Sequence, residues 1–543
     1  MTAAPGQTAR ERLRVHEGGS VTEPAVQFTT MDDTVRTRLT TARRVQAEWS
    51  GRSVRDRIRV LTSLRTRIAE NPRGIASRVN REKAAETLAA EVLPLLDACR
   101  FLELESPRIL REKAAGRRAR PMWLWGTSVL LRPEPLGVVL VIGPSNYPLM
   151  LPGIQALQAI AAGNSVLVKP AANCSAAIQA LVDVAESAGL PVGTIQVLSE
   201  SPDAAAAAIR CQVDKVFLTG SAATGRAVSR ELADSTTPSV MELSGCDAVF
   251  VLDDADPELV SDCLLFGLTL NNSQTCMAPR RVFASDSMAD RVLQLLQKKI
   301  LRRETADARS DSGPPSSSGI LASVWPNNRG PGRDYASCRA AEEIGKAISG
   351  GARLLTGSVE TGGSQPVLKG IAVLDRVTAG MSIAQSDLFA PVLSFLRVAT
   401  DQMALHEHAK CPYALSATVF GSPGRSLEFA RRVEAGCVLI NDMIVPSADP
   451  RVPFGGRGRS GHGMTRGEAG LLEMTQLKAI VATRRLFRPH LHSPTPADAD
   501  VLEQLICLEH AASPLRTLAI VPRLIRSILS QISFRRSQGV TEA

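Results

Sequence analysis

The run Gly137-Val-Val-Leu-Val-Ile142 is short, apolar and rich in β-branched residues, and several runs of the same kind follow it. Ala-rich stretches with helical spacing separate these runs. We predict strands at 137–142, 165–168, 194–198, 215–218 and 239–243, with helices at 149–162, 175–187, near Ala204 and at 226–232. Crossovers of one hand between parallel strands produce a doubly wound sheet, with ligands at the carboxyl ends of its strands. The predicted fold class is therefore α/β with a doubly wound parallel-sheet domain.

Other regions flank this predicted domain. A second α/β block runs from about 244 to 445, and its Gly-, Pro- and Ser-rich stretch 311–334 is predicted to be a long loop. The polar stretch 1–30 has neither the apolar core of a secretory signal nor the acid-poor face of a transit peptide, so we expect a disordered arm. Upstream of the first sheet, five apolar residues share a helical face that Ser53 caps and Asn71-Pro72 ends: Val54, Ile58, Leu61, Leu64 and Ile68.

Composition excludes several functional classes. Lys and Arg number 63 against 54 acids, so the net charge of +9 is a mild bias that favours anionic ligands. An aromatic content of 4% argues against stacked-ring nucleic-acid platforms, and we expect no nucleic-acid partner. Ten cysteines at irregular spacing are typical of a reducing compartment and predict a cytoplasmic location. Seven scattered histidines offer no three-ligand cluster, so no metal is expected.

One thiol, Cys276, lies in the polar segment Asn272-Ser-Gln-Thr-Cys-Met-Ala-Pro-Arg280. A thiol can add to an aldehyde and then hold the acyl group as a thioester, which divides a difficult oxidation into two easier steps. An ordinary thiol has a pKa near ~8.5, so we expect this site to favour the thiolate. The alternative is an inert small core residue.

Two other side chains could complete such a site. Glu242 ends a predicted buried strand, where a carboxylate could activate water if burial raises its pKa. Asn146 follows the first strand, and its amide could stabilise an oxyanion together with the backbone N–H of Cys276. The segment Thr219-Gly-Ser-Ala-Ala-Thr-Gly225 lies between a strand and a helix, where free N–H groups suit a pyrophosphate.

Together these segments resemble the aldehyde dehydrogenase superfamily, most closely its fatty and aromatic aldehyde branch. Seven motifs occur in the family's order from about residue 31 to 485. They are Pro135-Leu-Gly-Val-Val-Leu-Val-Ile-Gly-Pro-Ser-Asn-Tyr-Pro148, Ala161-Ala-Gly-Asn-Ser-Val-Leu-Val-Lys-Pro170, Leu218-Thr-Gly-Ser221, Met241-Glu-Leu-Ser-Gly245, the Cys276 segment, Asp387-Leu-Phe-Ala-Pro-Val392 and Pro453-Phe-Gly-Gly-Arg-Gly-Arg-Ser-Gly461.

The resemblance implies NAD(P)-dependent oxidation of an aldehyde to a carboxylate, with NAD or NADP as cofactor. It makes Cys276 the nucleophile, Glu242 the general base and Asn146 the oxyanion donor. Lys169 would hold the adenosine ribose, while Gly220, Ser221 and Gly225 would surround the pyrophosphate. Asp387 and Phe389 would hold the nicotinamide riboside.

The resemblance also implies a domain plan. A dinucleotide-binding domain would comprise 31–121 and 134–243, and a catalytic domain 244–445. A small β oligomerisation element would comprise 122–133 and 474–486 and pair across the interface of a homodimer or homotetramer. Residues 487–543 would form a C-terminal extension.

Several residues depart from the family pattern. Ser145 replaces a usual Trp, Asp387 replaces Glu, and glycines are replaced at Ser244, Ser273 and Ala390. The acid that commonly grips the adenosine ribose is replaced by Ala172, which removes repulsion against a 2′-phosphate and makes NADP a predicted cofactor. Added bulk near the reacting atoms also leaves open a catalytically impaired protein. A third alternative, acyl transfer to coenzyme A, is typical of a branch that lacks the base, so Glu242 argues against it.

In the extension, we predict that Pro522 opens a helix with one apolar face and flanking arginines. Such a helix could lie on an anionic membrane, or it could pack on its own or a neighbouring subunit, which we favour. Liposome co-sedimentation of the full chain, compared with a chain ending at Ser513, distinguishes the two alternatives.

Overall fold

The computed structural model describes residues 30–79, 81, 84–310, 331–361, 365–484, 489–491, 493, 496–511 and 513–537. The helices α1 to α17 are, in order, Thr30–Ser50, Val54–Glu70, Pro72–Ala76, Ala84–Thr87, Leu93–Ile109, Met150–Ala162, Ser175–Ser187, Pro202–Arg210, Ala222–Leu232, Pro257–Thr269, Asp286–Ser310, Pro331–Ser349, Asp401–His408, Pro423–Ala430, Gly467–Leu472, Pro496–Glu509 and Pro514–Ser537. The strands β1 to β18 are Lys113–Ala114, Thr127–Pro135, Val138–Ile142, Ser165–Lys169, Ile195–Val197, Lys215–Thr219, Ser239–Glu242, Asp247–Val251, Pro279–Ala284, Arg353–Glu360, Val367–Asp375, Val392–Arg397, Tyr413–Ala414, Ser416–Phe420, Cys437–Ile440, Arg457–Gly458, Gly461–His462 and Thr475–Thr483.

The first sheet confirms the predicted doubly wound layout. Its strand order is β17-β7-β6-β3-β4-β5, and every pair is parallel except the short edge pair of β17 with β7. The central strands β3, β4 and β6 are buried throughout because their middle residues are apolar and helices cover both faces of the sheet. Because these strands are parallel, the residues that follow β3, β4, β6 and β7 lie at the same edge of the sheet, at the carboxyl ends of the strands.

The second sheet has seven strands in the order β10-β11-β12-β9-β8-β14-β15. All of its pairs are parallel except β10 with β11. The domain plan predicted from the sequence leaves residues 446–473 outside every domain. The structure shows that part of this segment, β17, extends the first sheet, with Gly461 opposite Glu242.

A third, antiparallel sheet contains β1, β2 and β18. Strand β18 pairs with β2 along its whole length, from Thr475 opposite Pro135 to Thr483 opposite Thr127. The two segments of the predicted oligomerisation element are therefore paired with each other within one chain. Eight of the nine residues of β18 are exposed in the single chain, and pairing with a second copy stays a prediction. The proposed domain boundaries also stay predictions.

Helix α2 confirms the face predicted from its apolar spacing. Ile58, Leu61, Leu64 and Ile68 are buried against α5 and α6. Ser53 caps the helix by accepting a 3.2 Å hydrogen bond from the Asp56 backbone N–H. The next turn begins at Pro72, as the Asn71-Pro72 pair predicts.

Two sequence predictions need correction. The predicted loop 311–334 is too long, because Pro331 begins α12, and a proline suits the first turn of a helix. Residues 311–330, like the predicted arm up to residue 29, lie outside the described residues. Pro522 does not open the last helix, which begins at Pro514 and continues through Pro522 at the cost of one backbone hydrogen bond.

The last two helices, α16 and α17, pack against each other. Leu518, Ile525 and Leu529 of α17 remain exposed, as do Arg523 and Arg526. Within the described ranges, no helix combines the length and apolar character that crossing a bilayer requires.

A buried guanidinium fixes the end of α6, the helix that follows the Asn146 turn. Arg57 donates from Nε to the Ala161 carbonyl at 3.0 Å and from Nη1 to the Arg52 carbonyl at 2.7 Å. Gly163 ends α6 in the left-handed conformation, with φ of 101°. Burial of the guanidinium lowers the pKa of Arg57 to about 10.

We expect Arg57→Met to lower the free energy of unfolding by about 2–4 kcal/mol, because it leaves buried carbonyl groups without donors. Thermal and urea unfolding measure the change. Arg59→Met is the matched control on the same helix, because Arg59 is exposed and its ion pair with Asp56 lies in solvent. Equal effects of the two substitutions would contradict this account of the α6 terminus.

Candidate active site

The thiol of Cys276 and the carboxylate of Glu242 meet where the two large sheets adjoin. Glu242 is the last residue of β7, and Cys276 lies in the turn that leads into β9. Cys276 Sγ donates a hydrogen bond to Glu242 Oε1 at 3.6 Å. Gly245 permits this approach, because a Cβ atom at that position would lie 2.9 Å from the Cys276 carbonyl oxygen.

Asn146 joins the same site from the turn after β3. Its Nδ2 donates to the Gln274 carbonyl at 3.0 Å, two residues before Cys276. The neighbouring Tyr147 hydroxyl lies 2.7 Å from Thr275 Oγ1. The structure therefore brings together the three predicted catalytic residues, although they are far apart in the sequence.

Burial dominates the electrostatics of this pair. It raises the pKa of Glu242, the direction that a general base requires. It also raises the pKa of the Cys276 thiol well above the ordinary value, and the negative charge of Glu242 adds to that effect. The expectation that the site favours the thiolate is wrong for this arrangement, because desolvation and nearby carboxylates both disfavour a negative sulfur.

The turn before the thiol has an unusual backbone. Asn271, Asn272 and Ser273 have φ values of 49°, 54° and 60°, in the left-handed region. Asn tolerates that region, but a serine there costs free energy. Arg280 holds the serine by donating to its hydroxyl at 2.7 Å and to its carbonyl at 2.8 Å.

The predicted pyrophosphate segment has the expected helix geometry. Gly220 follows β6, and Ser221 caps α9 by accepting a hydrogen bond from the Thr224 N–H at 3.1 Å. Gly225 lies inside α9, where a Cβ atom would approach Leu243 Cδ1 to 2.6 Å, so its role visible here is close packing. Lys169 ends β4 at the same sheet edge, and burial lowers its pKa.

Asp387 and Phe389 lie in the loop before β12. Asp387 is buried, and its Oδ1 accepts from the Phe389 N–H at 3.1 Å and lies 3.4 Å from Arg280 Nε. Burial raises the pKa of Asp387 to about 6. Its Oδ2 has no hydrogen-bond partner among the described residues. Phe389 itself has a φ of 49°, next to a position where the family has glycine.

Three charged residues near the site were not found by sequence analysis. Arg280 bonds to both Ser273 and Asp387. Arg466 is buried over the Phe454 ring at 4.5 Å, and its positive charge opposes the rise in the pKa of Cys276. Glu200 accepts backbone N–H bonds at the start of α7, near Lys169. Only Arg280 carried a sequence signal, since it closes the Cys276 motif.

Across the ranges described, no group of three or more His, Cys, Asp or Glu side chains is arranged to hold a metal ion. All ten cysteines are free thiols.

Comparison with known proteins identifies the family. Residues 21–480 match the Aldehyde dehydrogenase family, and the chain belongs to that family. It is 28% identical over 447 residues to 4,4'-diapolycopene aldehyde oxidase from a Methylomonas species, covering 81% of this chain and 80% of the relative. It is 34% identical over 363 residues to vanillin dehydrogenase from Pseudomonas fluorescens, covering 65% of this chain and 71% of the relative.

The crystal structure of an NADP-dependent glyceraldehyde-3-phosphate dehydrogenase from Bacillus halodurans, complexed with NADP, superposes with a TM-score of 0.72 at 26% identity. The superposition covers 84% of this chain and 92% of that protein. The predicted family, the fold class and the class of enzyme, an NAD(P)-dependent aldehyde dehydrogenase, are confirmed. The roles of individual site residues stay predictions.

The raised pKa of Cys276 predicts the pH dependence of its reactivity. We expect iodoacetamide labelling of Cys276 to rise about tenfold per pH unit through pH 9 without levelling off, because only the thiolate reacts. Peptide mass spectrometry measures labelling at each cysteine, with exposed Cys507 as the internal reference. Glu242→Gln removes a negative charge and moves the plateau to lower pH. A plateau between about pH 6 and 8 in the unaltered chain would contradict the structure.

Proposed function

We propose that the chain oxidises an aldehyde to its carboxylate through a thioester on Cys276, hydrolysed with Glu242 as general base. The observation that carries this proposal is the 3.6 Å hydrogen bond from Cys276 Sγ to Glu242 Oε1. The Asn146 amide beside the same turn supports it.

The first half of the reaction forms the thioester. The Cys276 proton passes to Glu242 Oε1, its hydrogen-bond acceptor, as the sulfur bonds to the aldehyde carbon. The carbonyl oxygen becomes an alkoxide, which Asn146 Nδ2 and the Cys276 N–H stabilise. An amide has two N–H donors, so Asn146 can bond this oxygen while it still donates to Gln274. When bound, the nicotinamide accepts the hydride that leaves the aldehyde carbon as the carbonyl re-forms.

The second half regenerates the thiol. Glu242 releases its first proton to solvent and then removes a proton from water as the water oxygen attacks the thioester carbon. The carbon–sulfur bond breaks, the carboxylic acid leaves and the sulfur regains a proton. A carboxylate with a raised pKa suits both transfers, because it accepts a proton more readily than an ordinary carboxylate.

The residues at the sheet edge fit a dinucleotide. Lys169 ends β4, and Gly220 and Ser221 follow β6, on either side of β3 at one edge of the first sheet. Phosphate and ribose groups bind at this edge in such folds. Asp387 Oδ2 is the buried acceptor available for the nicotinamide riboside. These residues are proposed to hold NAD or NADP.

We expect Cys276→Ser to abolish turnover. Glu242→Gln leaves a burst of about one reduced nicotinamide per site, formed more slowly because the Cys276 proton must then pass to solvent, and afterwards turns over roughly a hundredfold more slowly. Stopped-flow absorbance at 340 nm measures both, over acetaldehyde, decanal and benzaldehyde. Cys507→Ser is the control for loss of a thiol, because Cys507 is exposed outside the site. Glu242→Gln turnover equal to that of the unaltered chain would contradict the assigned base.

Two alternatives are resolved by the same reactions when coenzyme A is supplied and the acyl product is identified by mass spectrometry. Release of a coenzyme A thioester instead of free acid would identify an acylating enzyme, which Glu242 argues against. A folded chain that forms no reduced nicotinamide with any aldehyde would be the catalytically impaired alternative. The observation in its favour is that Asp387, shorter than the usual Glu, is already paired with Arg280.

For the cofactor, we propose that Glu200 disfavours NADP. Its carboxylate accepts hydrogen bonds from the N–H groups of Asn173, Cys174 and Ser175 at 2.8–3.0 Å. The backbone bond from Asn173 is the largest contribution that lowers the pKa of Glu200 to about 2, so this anion is fixed. Glu200 contacts the residue that follows Ala172, the position where the resemblance predicts an acid. The Glu200 carboxylate therefore supplies a negative charge that Ala172 does not.

We expect Glu200→Gln to raise the ratio of kcat/KM with NADP to that with NAD by roughly tenfold, because repulsion of the 2′-phosphate is removed; a tenfold change is about 1.4 kcal/mol. Initial rates with each cofactor measure the ratio. Asp203→Asn is the control, an exposed acid on the next helix. An unchanged ratio in a folded Glu200→Gln variant would contradict this assignment.

We also propose a cytoplasmic location, favoured by ten unpaired thiols. Assembly into a homodimer or homotetramer is proposed from the exposed strand β18. Contact of α17 with a membrane stays a prediction.

A further inference from the structure

A buried ion pair lies beneath the Asn146 turn, outside the set of predicted catalytic residues. Arg81 Nη2 is 3.0 Å from Glu91 Oε1. The Glu91 side chain is fully buried and that of Arg81 is 10% exposed. A buried pair of this kind seldom adds much stability, because desolvation of the two charges offsets their attraction. Its contacts therefore point to another role.

The second oxygen of Glu91 holds the start of α6. Glu91 Oε2 accepts hydrogen bonds from the backbone N–H groups of Leu149, at 3.1 Å, and Met150, at 2.7 Å. A carboxylate at a helix N-terminus satisfies free donors and complements the helix dipole. Glu91 itself lies on a π-helical turn, Leu88–Val92, a conformation that is rare and often found at functional sites.

Arg81 holds the other end of the same turn. Its Nη2 donates to the Asn146 carbonyl at 2.6 Å, and its guanidinium lies over the Tyr147 ring at 5.0 Å. The pair thus binds both ends of the five-residue turn 146–150: Arg81 binds the Asn146 carbonyl, and Glu91 binds the backbone N–H of Met150. Asn271 Nδ2, from the strained turn before Cys276, donates to the same Asn146 carbonyl at 3.1 Å.

The geometry points to Arg81 and Glu91 as positioning residues that hold Asn146 in place for oxyanion stabilisation. This inference rests on the proposed function, since it assigns a purpose to the orientation of the Asn146 amide. Neither residue touches the predicted reacting atoms. Both act through the backbone of the turn, where an error of about 1 Å can cost about a hundredfold in rate.

The charge of Glu91 is part of this arrangement. Burial raises the pKa of Glu91 to about 6, although Arg81 and the two backbone N–H groups favour the ionised form. The other titratable groups that face it are Tyr147 and Cys174. Above about pH 6 the ionised carboxylate balances Arg81 and accepts all of its bonds.

The test is a double-mutant cycle with Asn146→Ala, since residues that act through Asn146 lose their effect once its amide is absent. We expect Glu91→Gln to lower kcat at pH 8 roughly tenfold to hundredfold, with KM for the cofactor changed less than about twofold. In the Asn146→Ala background, the same change should lower kcat by less than about twofold. The aldehyde used is whichever of acetaldehyde, decanal and benzaldehyde gives the highest kcat/KM.

Two further variants keep the inference falsifiable. Arg81→Met breaks the contact with the Asn146 carbonyl from a partly exposed position, in case Glu91→Gln does not fold, and it should show the same dependence on Asn146. Glu103→Gln is the matched control, because it breaks the part-buried pair between Arg65 of α2 and Glu103 of α5 and should leave kcat unchanged. Melting temperatures establish that each variant is folded.

Equal losses of kcat in both backgrounds would overturn the inference, because the pair would then act elsewhere. Unchanged kcat in folded Glu91→Gln and Arg81→Met variants would also overturn it. Failure of the proposed function is a separate result: Asn146→Ala alone would then turn over like the unaltered chain.

Discussion

The hydrogen bond between the Cys276 thiol and the Glu242 carboxylate connects the two large sheets at a position with little access to water. Glu242 ends β7 of the first sheet, and Cys276 precedes β9 of the second. Burial disfavours a negative charge on either group, so the thiol keeps its proton and Glu242 Oε1 accepts its hydrogen bond. Asn146, from the turn after β3, lies beside the same pair by donating to the Gln274 carbonyl.

The turn that carries the thiol depends on one guanidinium. Arg280 bonds to Ser273 within the left-handed segment and also pairs with Asp387 before β12. Two departures from the family pattern, a serine for a glycine and an aspartate for a glutamate, therefore share a partner. The serine hydroxyl gives Arg280 an acceptor that glycine cannot, and the short Asp387 side chain remains close to its own backbone.

Much of the fold could be predicted from local patterns. The β-branched runs and Ala-rich stretches predicted every strand of the parallel part of the first sheet, since each pattern reflects burial within a single element. The three catalytic candidates were found through motifs at the ends of those elements. The start of α17 was predicted wrongly, because proline favours the first turn of a helix, whereas Pro522 lies inside α17 and Pro514 begins it.

The charged residues around the site were harder to predict. In the sequence, nothing distinguishes Glu91 from the other acids around it. Only the fold shows that its carboxylate pairs with Arg81 and accepts a hydrogen bond from the backbone N–H of Met150 at the start of α6. Glu200 similarly acquires its role from backbone N–H groups about 26 residues away in sequence. The state of the thiol was predicted wrongly for a related reason, because its pKa depends on burial and on carboxylates from three separate segments.

The central claim is that the acyl group resides on Cys276 and leaves with the help of Glu242. Peptide mass spectrometry of the Glu242→Gln variant, denatured in acid once its burst of reduced cofactor is complete, tests it most directly. The account predicts the mass of the acyl group on the peptide that contains Cys276, stable because its hydrolysis is slow. An acyl group on another residue, or none on a variant that has reduced its cofactor, would contradict it.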